Sequence, residues 1–218
     1  MKAILLISLF CSIFSFNLRH AKQEYDSYVM AVQWSNGYCK VNKCGNKADN
    51  VEKNTMTIHG LWPSLKSGKM LQPCTSGVKI KEDGSDLIKD MKKYWPSFSK
   101  ANTAFWEHEY NKHGYCMVEE KHWSGYQDYF QNVIELFLKT YKDLIIRAFD
   151  VPKKKIIEVS LDSMRKALNK IIPGVVFKMT CNKKYLTEMY FYLEKDLETP
   201  SENSAVPTSC KSAQILFK

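Results

Sequence analysis

The sequence predicts an α+β fold: a single domain in which a central antiparallel sheet is flanked by helices and stapled by three disulfides. Strand-like and helix-like segments are mixed along the chain, without the regular alternation that builds parallel βαβ units. About 200 residues remain after an apolar leader, which is the size of one ordinary domain. With 44% hydrophobic and 25% charged residues, the composition excludes a disordered chain and a polytopic membrane protein.

The leader has the pattern of a secretory signal peptide. Lys2 precedes an apolar run over residues 3–16. We expect a signal peptide over 1–15, with residue 21 as a second cleavage site, and a folded domain over 22–218. Neither this run nor any later segment reaches the roughly 18 apolar residues of a spanning helix, so no membrane anchor is expected.

Alternation of apolar side chains predicts the strands. Residues 25–34 alternate on one face, as a half-buried strand does, whereas 35–55 are polar and indicate a loop. Further strands are expected at 56–62, 175–181, 185–195 and, as an edge, 214–217.

Helical spacing predicts two core helices. Apolar residues between Tyr126 and Phe149 recur every three or four positions and indicate a stripe that packs in the core. A second helix is expected over 160–172, stopped by Pro173 and Gly174.

The cysteines predict a disulfide framework. Cys11 lies in the leader, and six cysteines remain in a chain that enters an oxidising compartment. Six cysteines allow 15 pairings, and clustering in sequence favours Cys39 with Cys44, Cys74 with Cys116, and Cys181 with Cys210. A zinc half-site at the first pair is the alternative, but no second Cys/His pair with ligand spacing accompanies it.

Charge narrows the class of partner. The chain has 32 basic and 23 acidic residues, a net charge of +9, which favours a nucleic acid or an anionic membrane without choosing between them. The basic run at 153–155 is interpreted as a solvated turn rather than a binding site.

The residues best suited to catalysis are concentrated in two segments of the sequence, the windows TIHGLWPS at 57–64 and FWEHEYNKHGYC at 105–116. They contain three of the four histidines that remain once His20 is set aside, beside a glutamate, a lysine and aromatic residues. A single histidine is usually structural, but this concentration indicates a functional site.

The second window predicts a helix over 104–113, capped by Asn102 or Thr103 and ended by Gly114. On it Glu109 and His113 lie about 40° apart and face one cleft, with His108 and Lys112 on an adjoining face. His108 and His113 diverge by about 140°, so the zinc-protease motif is excluded and no metal site or cofactor is expected.

Two histidines and a cation without metal ligands match the needs of phosphodiester cleavage within RNA. One group must take the proton of the ribose 2′-OH, another must protonate the departing 5′-oxygen, and positive charge must stabilise the phosphorane. Histidine suits both transfers because its ordinary pKa lies near 6.5.

HGLWP at 59–63 and HEYNKHGYC at 108–116 resemble the two signature blocks of the RNase T2 family, which comprises secreted acid endoribonucleases. The resemblance extends from residue 32 to the last cysteine pair. It implies an α+β fold with the three neighbour disulfides, an acid pH optimum and no cofactor. We therefore expect metal-independent cleavage of single-stranded RNA, through 2′,3′-cyclic phosphates, by a monomer that leaves DNA intact.

The resemblance also implies roles for the catalytic residues. His59 would be the general acid and His113 the general base. Glu109 would orient or balance the histidines, and His108 and Lys112 would hold the phosphate and stabilise the transition state.

Base binding is the second group of implied roles. Trp62, Phe105 and Gln33 match positions at which relatives bind bases by stacking and hydrogen bonds. Packing alone is an open alternative for the two aromatic residues. Ser64 stands where many relatives have aspartate, so weak base specificity is expected.

Two other functions are weighed. A secreted basic binding or cytotoxic protein would need no catalysis, but it leaves the paired signature blocks unexplained. A self-incompatibility ribonuclease usually has an N-glycosylation site, and this sequence contains no Asn-x-Ser/Thr. The expected location is secreted or lysosomal/vacuolar.

Overall fold

The computed structural model describes residues 24–48, 51–67, 74, 76–118, 123–150, 156–202 and 210–217. Its strands are β1 (Ser27–Trp34), β2 (Met56–Ser64), β3 (Ile156–Ser160), β4 (Phe177–Asn182), β5 (Tyr185–Leu193) and β6 (Ser212–Leu216). They form one sheet in the order β2-β1-β5-β6-β3, and β4 also pairs with β5. The pairing is antiparallel except for a parallel contact between β5 and β6. The predicted α+β fold is confirmed.

The helices are α1 (Ser35–Val41), α2 (Asp86–Tyr94), α3 (Asn102–Lys112), α4 (Tyr126–Thr140), α5 (Leu144–Phe149) and α6 (Leu161–Asn169), with 3₁₀ turns at Gly45–Ala48 and Gly114–Met117. Serine caps begin two of them: Ser85 Oγ accepts from Ile88 N, and Ser160 Oγ accepts from Ser163 N. In the part of the chain that the structure describes, no helix is long and apolar enough to cross a membrane.

The apolar stripe predicted between residues 126 and 149 is core, but two helices carry it. Tyr129, Phe130, Val133 and Phe137 of α4 are fully buried. The helix ends because the backbone N–H groups of Tyr141 and Lys142 both donate to the Phe137 carbonyl, which closes the last turn. The chain turns there before α5 begins.

Other element predictions need correction. The predicted half-buried strand β1 is buried along its whole length, because β2 and β5 flank it and both of its faces are covered. The predicted loop at 35–55 contains α1 and a 3₁₀ turn, and Ser35 and Asn36 at the start of α1 are buried because α1 packs against β5. The strand at 214–217 lies inside the sheet, since β3 forms the edge beyond it. Neither β3 nor α2 was predicted.

Helix α3 matches the predicted helix with different ends. Its N-cap is Ala101, with no side-chain cap hydrogen bond, because the Asn102 side chain accepts from the backbone of Ser97 instead. Gly114 does not have the positive φ of the expected left-handed cap. Close packing requires this glycine, since a Cβ there would lie 2.8 Å from Tyr110 Cδ2 and 3.0 Å from the Tyr129 ring.

The three expected disulfides are confirmed. Cys39 bonds to Cys44, Cys74 to Cys116, and Cys181 to Cys210, with Cα–Cα distances of 5.4, 5.6 and 5.9 Å. The second joins a loop to the turn that follows α3. The signal peptide and the basic run at 153–155 lie outside the described residues.

Gly37 provides a test of how closely α1 packs on the sheet. Helix propensity predicts that Gly37→Ala stabilises the protein by about 1 kcal/mol. A Cβ at Gly37 would instead collide with the backbone carbonyl of Leu186 on β5, so we expect a loss of about 1–3 kcal/mol. Lys40→Ala, at an exposed position of the same helix, should change stability by less than about 0.5 kcal/mol. Urea unfolding midpoints measure both, and a stabilised Gly37→Ala protein would contradict the packing.

Candidate active site

His59 lies on β2 at a β-bulge. Strand β1 pairs Ala31 with Gly60 and Val32 with Ile58, so His59 is the extra residue between them. A bulge turns the side chain of its extra residue out of the regular alternation. Trp95 Nε1 donates a 2.8 Å hydrogen bond to the His59 carbonyl. The imidazole is thereby held at the wall of a cleft, with 26% of the side chain exposed.

The cleft has a volume of about 340 Å³. It brings together five of the predicted site residues, which are Gln33, His59, Phe105, His108 and Glu109. A second depression adjoins the cleft, shares Lys100 and His108 with it, and is also lined by Lys112. The two sequence windows therefore meet at one place.

Trp62 and His113 complete this group. The Trp62 ring centroid lies 5.2 Å from the His59 ring and 5.1 Å from the His113 ring. Its indole N–H donates a 2.8 Å hydrogen bond to Glu109 Oε2. The tryptophan predicted to stack on a base thus separates the two histidines and anchors the buried glutamate.

Gly60 allows this arrangement. A Cβ at this position would collide with Trp62 Nε1 and with Glu109 Oε2. The hydrogen bond between tryptophan and glutamate passes directly over the glycine backbone, so no larger residue fits. This close approach explains the glycine of the HGLWP window.

Glu188 is a site residue that the sequence did not reveal. It lies on β5, and its Oε1 is 2.9 Å from His59 Nδ1. Gln33 Nε2 donates to the same oxygen at 2.8 Å, and the Tyr190 hydroxyl donates to Oε2 at 2.5 Å. In the sequence Glu188 is one polar residue in an alternating strand, which indicates a solvent-facing position. Only the pairing of Gln33 with Glu188 across β1 and β5 brings it to His59.

The residues predicted to bind bases are more enclosed than expected. Gln33 is 6% exposed and Phe105 is 8% exposed. One N–H of the Gln33 amide is already used by Glu188. The Phe105 ring lies 5.7 Å from the His59 ring. Ser64, at the far end of β2, does not line the cleft.

Carboxylates set the charge of His59. Burial lowers the pKa of His59, but the hydrogen bond to Glu188 and the negative charges of Glu109 and Glu188 outweigh this effect and raise the pKa above 6.5. Burial also raises the pKa of Glu109, whose Oε1 lies 3.8 Å from His59 Nε2. For Glu188, hydrogen bonds from His59, Tyr190 and Gln33 overcome the effect of burial and lower the pKa.

The other two histidines are shifted in the opposite direction. Burial, reinforced by the charges of Lys112, His108 and His59, lowers the pKa of His113 to about 3. Partial burial and the charges of Lys100, Lys112 and His59 lower the pKa of His108. The sequence placed Glu109 near His113, but the glutamate side chain is engaged with Trp62 and His59. The site therefore holds one imidazole whose charged form is favoured, that of His59, and two whose neutral form is favoured.

The donor set does not suit a metal. Among the described residues, no group of three or more histidine, cysteine, aspartate or glutamate side chains is placed to hold a metal ion. His59 has two carboxylates beside it, but His108 and His113 have cationic neighbours, which oppose the binding of a metal cation.

Comparison with known proteins gives a consistent result. The model of the ribonuclease T2 family matches residues 25–210. Ribonuclease 1 of Arabidopsis thaliana is 31% identical, over 99% of this chain and 96% of that protein. Ribonuclease T2 of Aspergillus oryzae is 32% identical, over 75% of this chain and 67% of that protein. The structure of ribonuclease MC1 from the seeds of bitter gourd superposes with a TM-score of 0.66 and 25% identity, covering 88% of this chain and all of that one.

Titration of the histidines tests the charge pattern directly. We expect His59 to titrate above pH 6.5 and His108 below it, and His113 to stay neutral down to about pH 3. The ring ¹H and ¹³C shifts measured by NMR between pH 3 and 9, assigned with single His→Asn variants, report each group. A His113 that titrates above His59 would contradict the arrangement.

Proposed function

Because the chain belongs to the ribonuclease T2 family, we propose that it cleaves single-stranded RNA without a metal ion, by transphosphorylation through a 2′,3′-cyclic phosphate. The chain is a ribonuclease of the T2 type. One observation carries the proposal: two imidazoles with opposite pKa shifts flank a single indole, that of Trp62. Such a pair supplies a general base and a general acid at the same pH.

His113 acts as the general base. Its low pKa keeps the imidazole neutral down to about pH 3, and the unprotonated ring nitrogen can accept the proton of the ribose 2′-OH. The 2′-oxygen then attacks the adjacent phosphorus, and a new P–O bond closes the cyclic phosphate. DNA lacks the 2′-OH and is not a substrate of this reaction.

His59 acts as the general acid. Its raised pKa favours the protonated imidazole up to a higher pH than in an ordinary histidine. As the bond from phosphorus to the 5′-oxygen breaks, the proton passes from His59 to that oxygen and the 5′-hydroxyl product leaves. In the hydrolysis of the cyclic phosphate the two histidines exchange roles. His59 takes a proton from a water molecule that occupies the place of the departed 5′-hydroxyl and attacks phosphorus, and His113 returns a proton to the 2′-oxygen as its bond to phosphorus breaks.

Three residues of α3 stabilise the transition state. His108 lines the cleft, Lys112 lines the adjoining depression, and both stabilise the charge that builds on the phosphorane oxygens. Glu109 keeps His59 charged and holds Trp62 through a 2.8 Å hydrogen bond. We assign it to the balance of charge rather than to proton transfer, because its carboxylate is 2% exposed.

Base selection is weak in this proposal. Phe105 and Gln33 line the cleft, and stacking on an aromatic ring tolerates every base. Ser64 does not line the cleft and carries no charge, so it offers no acidic group that could select a base there.

The enzyme works as a secreted or vacuolar monomer. Its three disulfides suit an oxidising compartment and are rare in reducing ones. The signal peptide expected over 1–15 would direct the chain there, and the enzyme would carry no membrane anchor.

Substrate and metal requirements test the proposal first. We expect the protein to degrade single-stranded RNA in EDTA at the rate seen without chelator, and to leave single-stranded DNA intact. Phosphorus NMR or mass spectrometry should detect 2′,3′-cyclic phosphate ends at early times. Loss of activity in EDTA, or cleavage of the DNA, would refute the mechanism.

Variants and pH test the roles of the histidines. His59→Ala and His113→Ala should each lower kcat by at least about 10²-fold, whereas replacing Lys89, an exposed lysine of α2, with alanine should have no effect.

In the wild type, kcat/KM should rise above about pH 3 as His113 loses its proton. It should fall as pH rises through the raised pKa of His59. A flat profile from pH 4 to 9 would exclude catalysis by this pair.

A further inference from the structure

We propose that Glu188 is a positioning residue for His59. Its carboxylate accepts a hydrogen bond from the Nδ1–H group, so that Nε2 is the atom that delivers a proton to the leaving group. The inference deepens the proposed function and rests on it. It assigns a role to a residue on β5, outside both sequence windows, and it follows from the hydrogen bonds around one partly buried carboxylate.

The Glu188 side chain is held on both oxygens. Oε1 accepts from Gln33 Nε2 at 2.8 Å and lies 2.9 Å from His59 Nδ1, while Oε2 accepts from the Tyr190 hydroxyl at 2.5 Å. The side chain is 15% exposed. Because its partners lie on β1, β2 and β5 itself, the carboxylate cannot leave His59 without also losing the hydrogen bonds from Gln33 and Tyr190.

An ionised carboxylate can only accept hydrogen bonds. His59 Nδ1 must therefore carry a proton in both charge states of the ring, and the proton that is gained or lost sits on Nε2. This is the logic by which a buried carboxylate fixes the tautomer of a catalytic histidine in a hydrolase triad. Here the bulge on β2 and the register of β5 create the same relation.

Glu188 and Glu109 have different tasks in this scheme. Glu109 Oε1 lies 3.8 Å from His59 Nε2, beyond hydrogen-bond distance, and its Oε2 is held by Trp62. Glu109 therefore acts on His59 through its negative charge alone. Glu188 acts through its negative charge and also through a hydrogen bond that fixes the orientation of the imidazole ring. Lys100, which precedes α3, opposes both carboxylates. These three groups from two sides of the cleft set the charge of His59, and Gln33 is assigned to holding Glu188.

The test compares two substrates that differ in their need for an acid. A dinucleoside phosphate releases a 5′-alkoxide, which must be protonated. Uridine 3′-(4-nitrophenyl phosphate) releases 4-nitrophenolate, which leaves without a proton. Loss of the acid therefore slows only the first substrate, while general damage to the site slows both.

For Glu188→Gln we expect kcat/KM on the dinucleoside phosphate to fall by about 10- to 10³-fold, less than for His59→Ala. On the aryl substrate we expect a change of less than about threefold. The basic limb of the dinucleoside profile should move to lower pH, because one negative charge beside His59 is lost. Glu188→Asp keeps the charge but withdraws the carboxylate, so it should show the same substrate split with a smaller shift of that limb.

Glu194→Gln is the matched control. Glu194 follows β5, and its carboxylate pairs with Lys66 at 2.6 Å, away from His59. Its kinetics should equal those of the wild type on both substrates and at every pH.

A measurement on the wild type keeps the inference testable even if the variants fail to fold. Above the pKa of His59, long-range ¹H–¹⁵N correlations should report the tautomer with its proton on Nδ1. A neutral His59 with its proton on Nε2 would overturn the inference, as would equal losses on both substrates in a folded Glu188→Gln protein. A failure of the proposed function is recognised separately, because His59→Ala would then retain full activity on the dinucleoside phosphate.

Discussion

The register of β1 between β2 and β5 is the constraint on which the site depends. One face of β1 carries Met30, Val32 and Trp34 into the core. The other face aligns Gln33 with Glu188, and the bulge in β2 adds His59 to the same side. Because side chains alternate with a period of two, a slip of one residue in either pairing would exchange the core face for the site face. Folding of the sheet and assembly of the site are therefore one event.

Unequal surroundings give two chemically identical side chains different charges. His59 lies between the buried carboxylate of Glu109 and the partly buried carboxylate of Glu188, which together outweigh the cost of burying its positive charge. His113 lies at the end of α3, where burial and neighbouring cations act in the same direction. The indole of Trp62 contacts both rings and keeps Glu109 on the His59 side through its hydrogen bond. The difference in pKa between His59 and His113 thus depends on the two glutamates beside His59. Such a difference suits a reaction that needs one acid and one base.

Close contacts between backbone and side chains make this arrangement rigid. Gly60 leaves room for the contact between Trp62 and Glu109, and Gly114 lets the chain pass the rings of Tyr110 and Tyr129. The bond between Cys74 and Cys116 ties the end of α3 to the preceding loop. Interiors packed at this density do not absorb an added methyl group without displacement. The two glycines are thus required because a Cβ at either position would collide with neighbouring side chains. Neither glycine has a left-handed backbone.

The sequence by itself determined the α+β class, the disulfide pairs and the two windows that supply His59, His108, Glu109, Lys112 and His113. These features have local signals: alternation, clustering of cysteines, and chemically unusual residues at short spacing. It did not determine the short helix α1, whose buried polar residues resemble a loop. It also placed Glu109 beside His113, because spacing on a helix says nothing about the strand opposite.

Only the tertiary structure decided which carboxylate serves which histidine. Glu188 is 129 residues from His59 in the chain, and its setting in an alternating strand is that of an ordinary surface glutamate. Strand pairing and the bulge brought the two together, and burial then gave their interaction its strength by removing competing water. The pKa of a histidine depends on every charge and every shielded surface around it, and those are properties of the assembled sheet and helix.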